Sequence, residues 1–152
     1  FDTLVCTGMG ADTMVSILSA APWLRSTQYR LILQCQSKTP MLRQYLSENG
    51  WRITEETVLR DGRFLYTVME VIWQPEYPRL SVGEWYFPPA LLENPAKELP
   101  EYYQRLIFSL ERAVNGRREN ADPVMATALQ ELKALGETQE LSWLKEEQHG
   151  NS

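Results

Sequence analysis

The sequence has very little histidine and cysteine. It holds one histidine, His149, in a polar C-terminal stretch, and two cysteines, Cys6 and Cys35. A single histidine there gives no basis within these residues for a His-ligated metal centre or a Ser-His-Asp triad. Two cysteines, each at or near the end of an apolar run, are not a disulfide framework and read as reduced, half-buried small hydrophobes. No apolar run approaches the roughly 20 residues needed to cross a bilayer, and no basic segment followed by an apolar one marks a secretory leader. No G-x-G-x-x-G occurs anywhere. Basic charge is scarce too. The net charge is −5, acids and bases cancel over residues 1–80, and the negative excess falls in 81–152. A global basic footprint for nucleic acid is therefore excluded, and only a local one remains.

What is present points to an α/β chain. At 152 residues, with 43% hydrophobic and 23% charged residues, it has the composition of one ordinary globular domain, or one domain with an appendage. Residues 3–7, TLVCT, form a short β-branched run ended by Gly8, which predicts a buried strand. Met14, Ile17, Leu18 and Ala21 then recur at helical steps, with Asp12 or Thr13 as cap and Pro22 as stop. Residues 29–35, YRLILQC, predict a second strand. A helix follows with Thr39 as cap and Pro40 in its first turn, Met41, Leu42, Tyr45 and Leu46 on its apolar face, and Asn49-Gly50 at its end. The order strand, helix, strand, helix implies parallel strands joined by crossovers.

The pattern changes after residue 50. WRITEETVL alternates, with Trp51, Ile53 and Thr57 on one two-residue rhythm, and Asp61-Gly62 signals a hairpin into the return strand 63–73. Glu55 and Glu56 are adjacent and point to opposite faces, one solvated and one in a structural contact, so they are not a paired-carboxylate site. Residues 74–100 hold Pro75, Pro78, Pro88, Pro89, Pro95 and Pro100 and read as an irregular connector. Two helices are predicted after it, roughly 98–115 and 122–147. Leu99, Tyr103, Leu106, Leu110 and Val114 form the first stripe, and Met125, Leu129, Leu132, Leu135, Leu141 and Leu144 the second. Asp122-Pro123 caps the second helix, Gly136 is a candidate interruption, and the short turn makes the pair an antiparallel hairpin.

These motifs, in this order, resemble the bacterial tRNA adenine-22 N1-methyltransferases, the TrmK family. Thr7-Gly8-Met9-Gly10-Ala11 stands where the family reads approximately Ala-Gly-Met-Gly-Gly, and Leu31-Ile32-Leu33-Gln34-Cys35-Gln36 where it reads approximately Leu-Ile-Leu-Gln-Pro-Asn. Leu42-Arg43, Asn49-Gly50 and Asp61-Gly62-Arg63 also fit. The departures at Ala11 and at Cys35-Gln36 fall beside the expected site.

The resemblance implies a fold and a division of the chain. The expected fold class is α/β, the second half of a Rossmann-like methyltransferase sheet: two parallel strand-helix units plus a terminal antiparallel hairpin, then an antiparallel helical hairpin. Residues 1–74 would be the C-terminal half of a class I methyltransferase domain, 75–97 a Pro-rich connector and 98–148 the helical hairpin. The half that carries the main cofactor loop and the ribose acid has no counterpart here, and residue 1 is Phe, which suggests a chain taken from inside a longer protein; a truncation is the rival explanation.

The implied cofactor is S-adenosyl-L-methionine, the implied substrate tRNA and the implied compartment the cytoplasm, with no membrane or metal partner. Gly8, Met9 and Gly10 would lie where methyl donor meets acceptor base, or else form a tight turn with a core Met. Gln34 would bond the base, or be a satisfied strand-end amide. Attack by the N1 of a neutral adenine needs positioning more than acid–base help. Arg105, Arg112, Arg117 and Arg118 form the one dense basic patch, a phosphate contact or a solvated turn. The aromatics Trp73, Tyr77, Trp85, Tyr86 and Phe87, with Arg79, stack RNA bases or pin the helical pair to the sheet. A non-catalytic RNA- or protein-binding module is the alternative function. Either way, the strand at 3–7 would leave an exposed apolar edge that invites self-association.

Overall fold

Four strands form one mixed sheet in the computed structural model, which describes residues 1–116 and 122–146. They are β1 (Asp2–Met9), β2 (Tyr29–Cys35), β3 (Trp51–Asp61) and β4 (Phe64–Trp73), in the spatial order β1-β2-β4-β3. β1 and β2 are parallel, with Leu4 opposite Leu31 and Cys6 opposite Leu33. The connection between them carries α1 (Ala11–Ala20), the crossover that a parallel pair requires. β4 pairs antiparallel with both β2 and β3.

One face of the sheet is dry. Leu31, Leu33, Cys35, Trp51, Met69 and Val71 pack there against Met14 and Leu18 of α1 and against Leu42 and Leu46 of α2 (Thr39–Glu48). Each fully buried Leu or Met contributes about 1.5–3 kcal/mol. Trp51 and Trp73 meet edge to face at 5.3 Å. The other face, carrying Val5, Ile32, Val68 and Glu70, is exposed or half-buried.

A second apolar cluster joins Val58, Phe87, Leu91, Leu99, Tyr103, Leu110, Ala128, Leu129, Leu132 and Leu144. Its helices are α3 (Val82–Tyr86), α4 (Ala90–Glu93), α5 (Leu99–Asn115) and α6 (Pro123–Glu137). Tyr103 of α5 donates to the Leu132 carbonyl of α6 at 2.5 Å, and Lys133 pairs with Glu111 at 3.0 Å.

Several local expectations are corrected. β1 does not stop at Gly8 but runs to Met9 through a bulge between Thr7 and Met9, because Gly8 takes φ +76° and turns its N–H out of the strand ladder. The cap of α1 is Gly10 rather than Asp12 or Thr13, and that of α2 is Lys38, at φ 56°, rather than Thr39. On β3 a bulge at Thr54 shifts the rhythm by one residue. Glu56 and Val58 therefore join Trp51 on the buried face, and Thr57 faces out. The connector 74–100 contains α3, whose capping box pairs Ser81 with Glu84, and α4. The last helix passes through Gly136 and ends at Glu137. Thr138 is extended, and a 3-10 turn follows over Gln139–Lys145. Asp122 caps α6 as expected, accepting from the Val124 N–H. Arg117, Arg118 and His149 lie outside the described residues.

Candidate functional site

The carboxyl ends of β1 and β2 are tied together by hydrogen bonds that cross between the two strands. The Gly8 N–H donates to the Gln34 side-chain carbonyl at 2.9 Å. The Gln36 N–H donates to the Met9 carbonyl at 2.8 Å, and the Ala11 N–H to the Ser37 carbonyl at 3.0 Å. The Gln36 side-chain amide also donates to Gln34 Oε1, at 3.2 Å. Gly8, Met9, Gly10 and Gln34 are thus gathered at one point, at the strand ends where open α/β sheets bind ligands.

The two glycines do different jobs. A Cβ on Gly8 would meet nothing within 4 Å, so the space beside it is open and only the backbone conformation demands glycine. A Cβ on Gly10 would come within 2.8 Å of Ser37 Oγ, so there the neighbour demands it. Lys38, in the left-handed region, reaches Asp12 at 3.5 Å beside the same loop.

Apart from the exposed Lys38–Asp12 pair, the loop brings no acid and base together among the described residues. Cys6 and Cys35 are free thiols; burial pushes the Cys6 thiol up, away from a reactive thiolate, and Cys35 donates to the Ser37 carbonyl at 3.1 Å. Among the described residues no three His, Cys, Asp or Glu side chains converge to hold a metal ion, and no helix is long and apolar enough to cross a membrane.

The basic residues sit elsewhere. Arg105 pairs with Glu101 at 2.5 Å and donates to the Arg63 carbonyl at 2.7 Å, while Glu101 also binds Arg60. Arg105 thereby fastens α5 to the β3–β4 turn. Arg112 is exposed and lies over the Phe108 ring at 5.8 Å. Sequence reasoning missed two exposed aromatics, Phe64 (52%) and Phe108 (62%), each with an arginine over it. The available signal was an aromatic beside Arg63 at a hairpin tip and another four residues before Arg112 on a helix. Val68 of β4 lies opposite Gln34, so the turn ahead of Phe64 projects roughly 13 Å beyond the end that carries the glycine loop.

The connector aromatics divide: Tyr77 is exposed with Arg52 over its ring at 4.1 Å, whereas Phe87 pins the connector to α5. Phe87 is buried against Tyr102 and Tyr103, and the Trp85 and Tyr86 carbonyls accept from Arg43.

A mixed sheet with a glycine loop closing its parallel strand ends is the layout of a Rossmann-like α/β protein. Residues 1–136 match the pattern of the tRNA (adenine(22)-N(1))-methyltransferases, TrmK, and the chain belongs to that family. No curated protein matches it significantly. Among solved structures, it is similar to a protein of the NADB-Rossmann superfamily from Streptococcus agalactiae, with 24% identity, a TM-score of 0.70, and coverage of 88% of this chain and 59% of that one. It is also similar to a Streptococcus pneumoniae putative tRNA (m1A22) methyltransferase in complex with S-adenosyl-L-methionine, with 24% identity, a TM-score of 0.68 and the same coverage. The Bacillus subtilis m1A22 tRNA methyltransferase TrmK gives 20% identity and a TM-score of 0.63, covering 95% of this chain and 62% of that one. The chain thus spans about three fifths of the length of these structures.

Proposed function

We propose that this chain forms the acceptor side of an S-adenosylmethionine-dependent tRNA adenine-N1 methyltransferase acting in the cytoplasm. The observation that carries the reading is the Gly8–Gln34 tie, in a chain of this family, at the open carboxyl ends of two parallel strands. On this reading residues 1–74 are the C-terminal half of the methyltransferase domain, 75–97 the connector and 98–148 the helical arm. The half that grips the cofactor docks along β1, which has a hydrogen-bonded neighbour on one side only.

The residues present fit one end of the cofactor. Gly8 is exposed and a Cβ there would meet nothing within 4 Å, so its backbone would be open to the methyl-bearing end, whereas the glycine-rich loop and ribose acid would belong to the other half. S-adenosylmethionine would supply an electrophilic methyl on its sulfonium sulfur; transfer to the N1 lone pair would break the S–CH3 bond and leave a neutral thioether. Gly8–Gly10 would let the backbone come close to the reacting groups, and Gln34 fixes the loop and would face the base, whereas the Met9 side chain is half-buried against the sheet core. Arg63 and Phe64 at the β3–β4 turn, and Phe108 and Arg112 on α5, would offer RNA stacking surfaces and cations, with Arg105 tying α5 to that turn, and Arg117 and Arg118 come next in the sequence.

The test compares residues 1–152 with the same chain joined to a cofactor-binding half. Only the joined protein is expected to bind S-adenosylmethionine by isothermal titration and to methylate adenine in tRNA. Tight cofactor binding by residues 1–152 alone would overturn the division of the site. RNA binding by the joined protein without cofactor binding would favour a non-catalytic module.

A further inference from the structure

Gln34 does more than close the loop, because its amide has a fixed polarity. A glutamine side chain offers one carbonyl with two acceptor positions and one NH2 with two donors. Both acceptor positions of Gln34 Oε1 are taken, by the Gly8 N–H at 2.9 Å and the Gln36 amide at 3.2 Å. The Gly8 N–H can only donate, so its contact settles which end of the amide is oxygen. Its Nε2 has no partner among the described residues, and the side chain is half-buried at the strand ends.

We infer that Gln34 presents a hydrogen-bond donor, and no acceptor, to the acceptor nucleotide, and so reads a purine ring nitrogen other than the one that is methylated. This rests on the proposed function. N1 must keep its lone pair for the methyl group, so a donor aimed at N1 would block transfer. The 6-amino group is itself a donor and gains nothing from Nε2. The remaining acceptors on adenine are N3 and N7. Gln34 therefore helps select a purine and turn its N1 toward the methyl donor, with Gly8 and Gln36 holding the amide so that it cannot flip.

The experiment uses the joined protein, native and carrying Gln34→Glu, with tRNA that holds 3-deaza- or 7-deazaadenine at the target position. A carboxylate keeps the acceptor for the Gly8 N–H but has no donor, so cofactor affinity is expected to hold. The kcat/KM on native tRNA is expected to fall about tenfold or more. One of the two deaza substrates should cost the native protein a similar factor and cost Gln34→Glu nothing further. In a second readout, the Gln34 side-chain amide 15N–1H signals should shift when RNA is added. Equal turnover of adenine and both deaza substrates by the native protein overturns the inference, as does an unimpaired Gln34→Glu. Absence of methyl transfer to any of the RNAs overturns the proposed function, and this inference with it.

Discussion

Arg43 on α2 and Glu56 on β3 form an ion pair at 2.6 Å with both side chains completely buried. Arg43 Nε adds two more contacts to the same carboxylate, and the guanidinium also donates to the Trp85 and Tyr86 carbonyls and to the Tyr102 hydroxyl. Burial by itself would push the Arg43 guanidinium down; the Glu56 carboxylate and Tyr102 more than reverse this and hold it above its usual range. One arginine thus joins the sheet, α2, the end of α3 and α5. Arg43→Met leaves a buried carboxylate without its partner and is expected to cost about 3–5 kcal/mol in urea denaturation. A loss below about 1 kcal/mol would show that the joint carries no weight. Adding Glu56→Leu should restore part of the loss, because the stranded charge is then gone.

The two loop glycines should respond differently to the same substitution. Gly8→Ala places a side chain at φ +76° and is expected to cost about 1–2 kcal/mol whatever its neighbours. Gly10→Ala meets only Ser37 Oγ, so Ser37→Ala should make it nearly neutral. Thermal denaturation of the two alanine variants, each with and without Ser37→Ala, checks this. Rescue of Gly8→Ala by Ser37→Ala would contradict the assignment.

Glu101 sits between Arg60 and Arg105, and hydrogen bonding to Arg60 holds its carboxyl below the ordinary range, helped by Arg105. Its contribution is therefore complete above the unfolded carboxyl value near 4.5 and is lost as the pH falls through the lower folded value. A stability profile from pH 6 downward should show this component in the native protein, weakened by salt, and lack it in Glu101→Gln. Identical profiles for the two proteins would refute it.

Gly136 lies directly against the Tyr103 hydroxyl. In an isolated helix Gly→Ala stabilises by about 1 kcal/mol. Here the added methyl collides with Tyr103, and Gly136→Ala is expected to destabilise by about 1–3 kcal/mol. In a Tyr103→Phe background the oxygen is absent and most of that penalty should vanish. Strictly additive effects in this double-mutant cycle would rule out the contact.

β1 pairs on one side only, and Val5 on it is 60% exposed. The chain on its own is expected to self-associate through this edge, with light scattering reporting a mass that rises with concentration. Val5→Lys should suppress the rise. A monomer at high concentration would count against both the edge argument and the proposed docking of a cofactor-binding half there.

Much of this was readable in the chain. The LILQ strand, Asn49-Gly50, Asp61-Gly62 and Asp122-Pro123 appear in the structure where local preferences put them; the β-branched run before Gly8 is a strand as well, but an exposed to half-buried one rather than the buried strand expected, because β1 pairs only with β2 among the described residues. The capping box Ser81-Val-Gly-Glu84 was legible by the same rules but was masked by the surrounding prolines. The parity of β3 was not legible. Whether Glu55 or Glu56 turns inward depends on a bulge at Thr54, whose hydroxyl donates to the Glu70 carbonyl on the partner strand, and no local preference announces that. Arg105 read as a free cation in a basic patch, yet it is bound to a turn more than forty residues earlier in the chain.

The division follows the range of the forces. Local sterics and the spacing of apolar residues settle where strands, helices and turns occur, and with the glycine loop and LILQ they point to the family. Which carboxylate is buried, which arginine joins the two clusters and which end of Gln34 faces outward depend on partners distant in sequence. Each answers the demand that a buried or half-buried polar group find its counterpart, and only the folded arrangement supplies one.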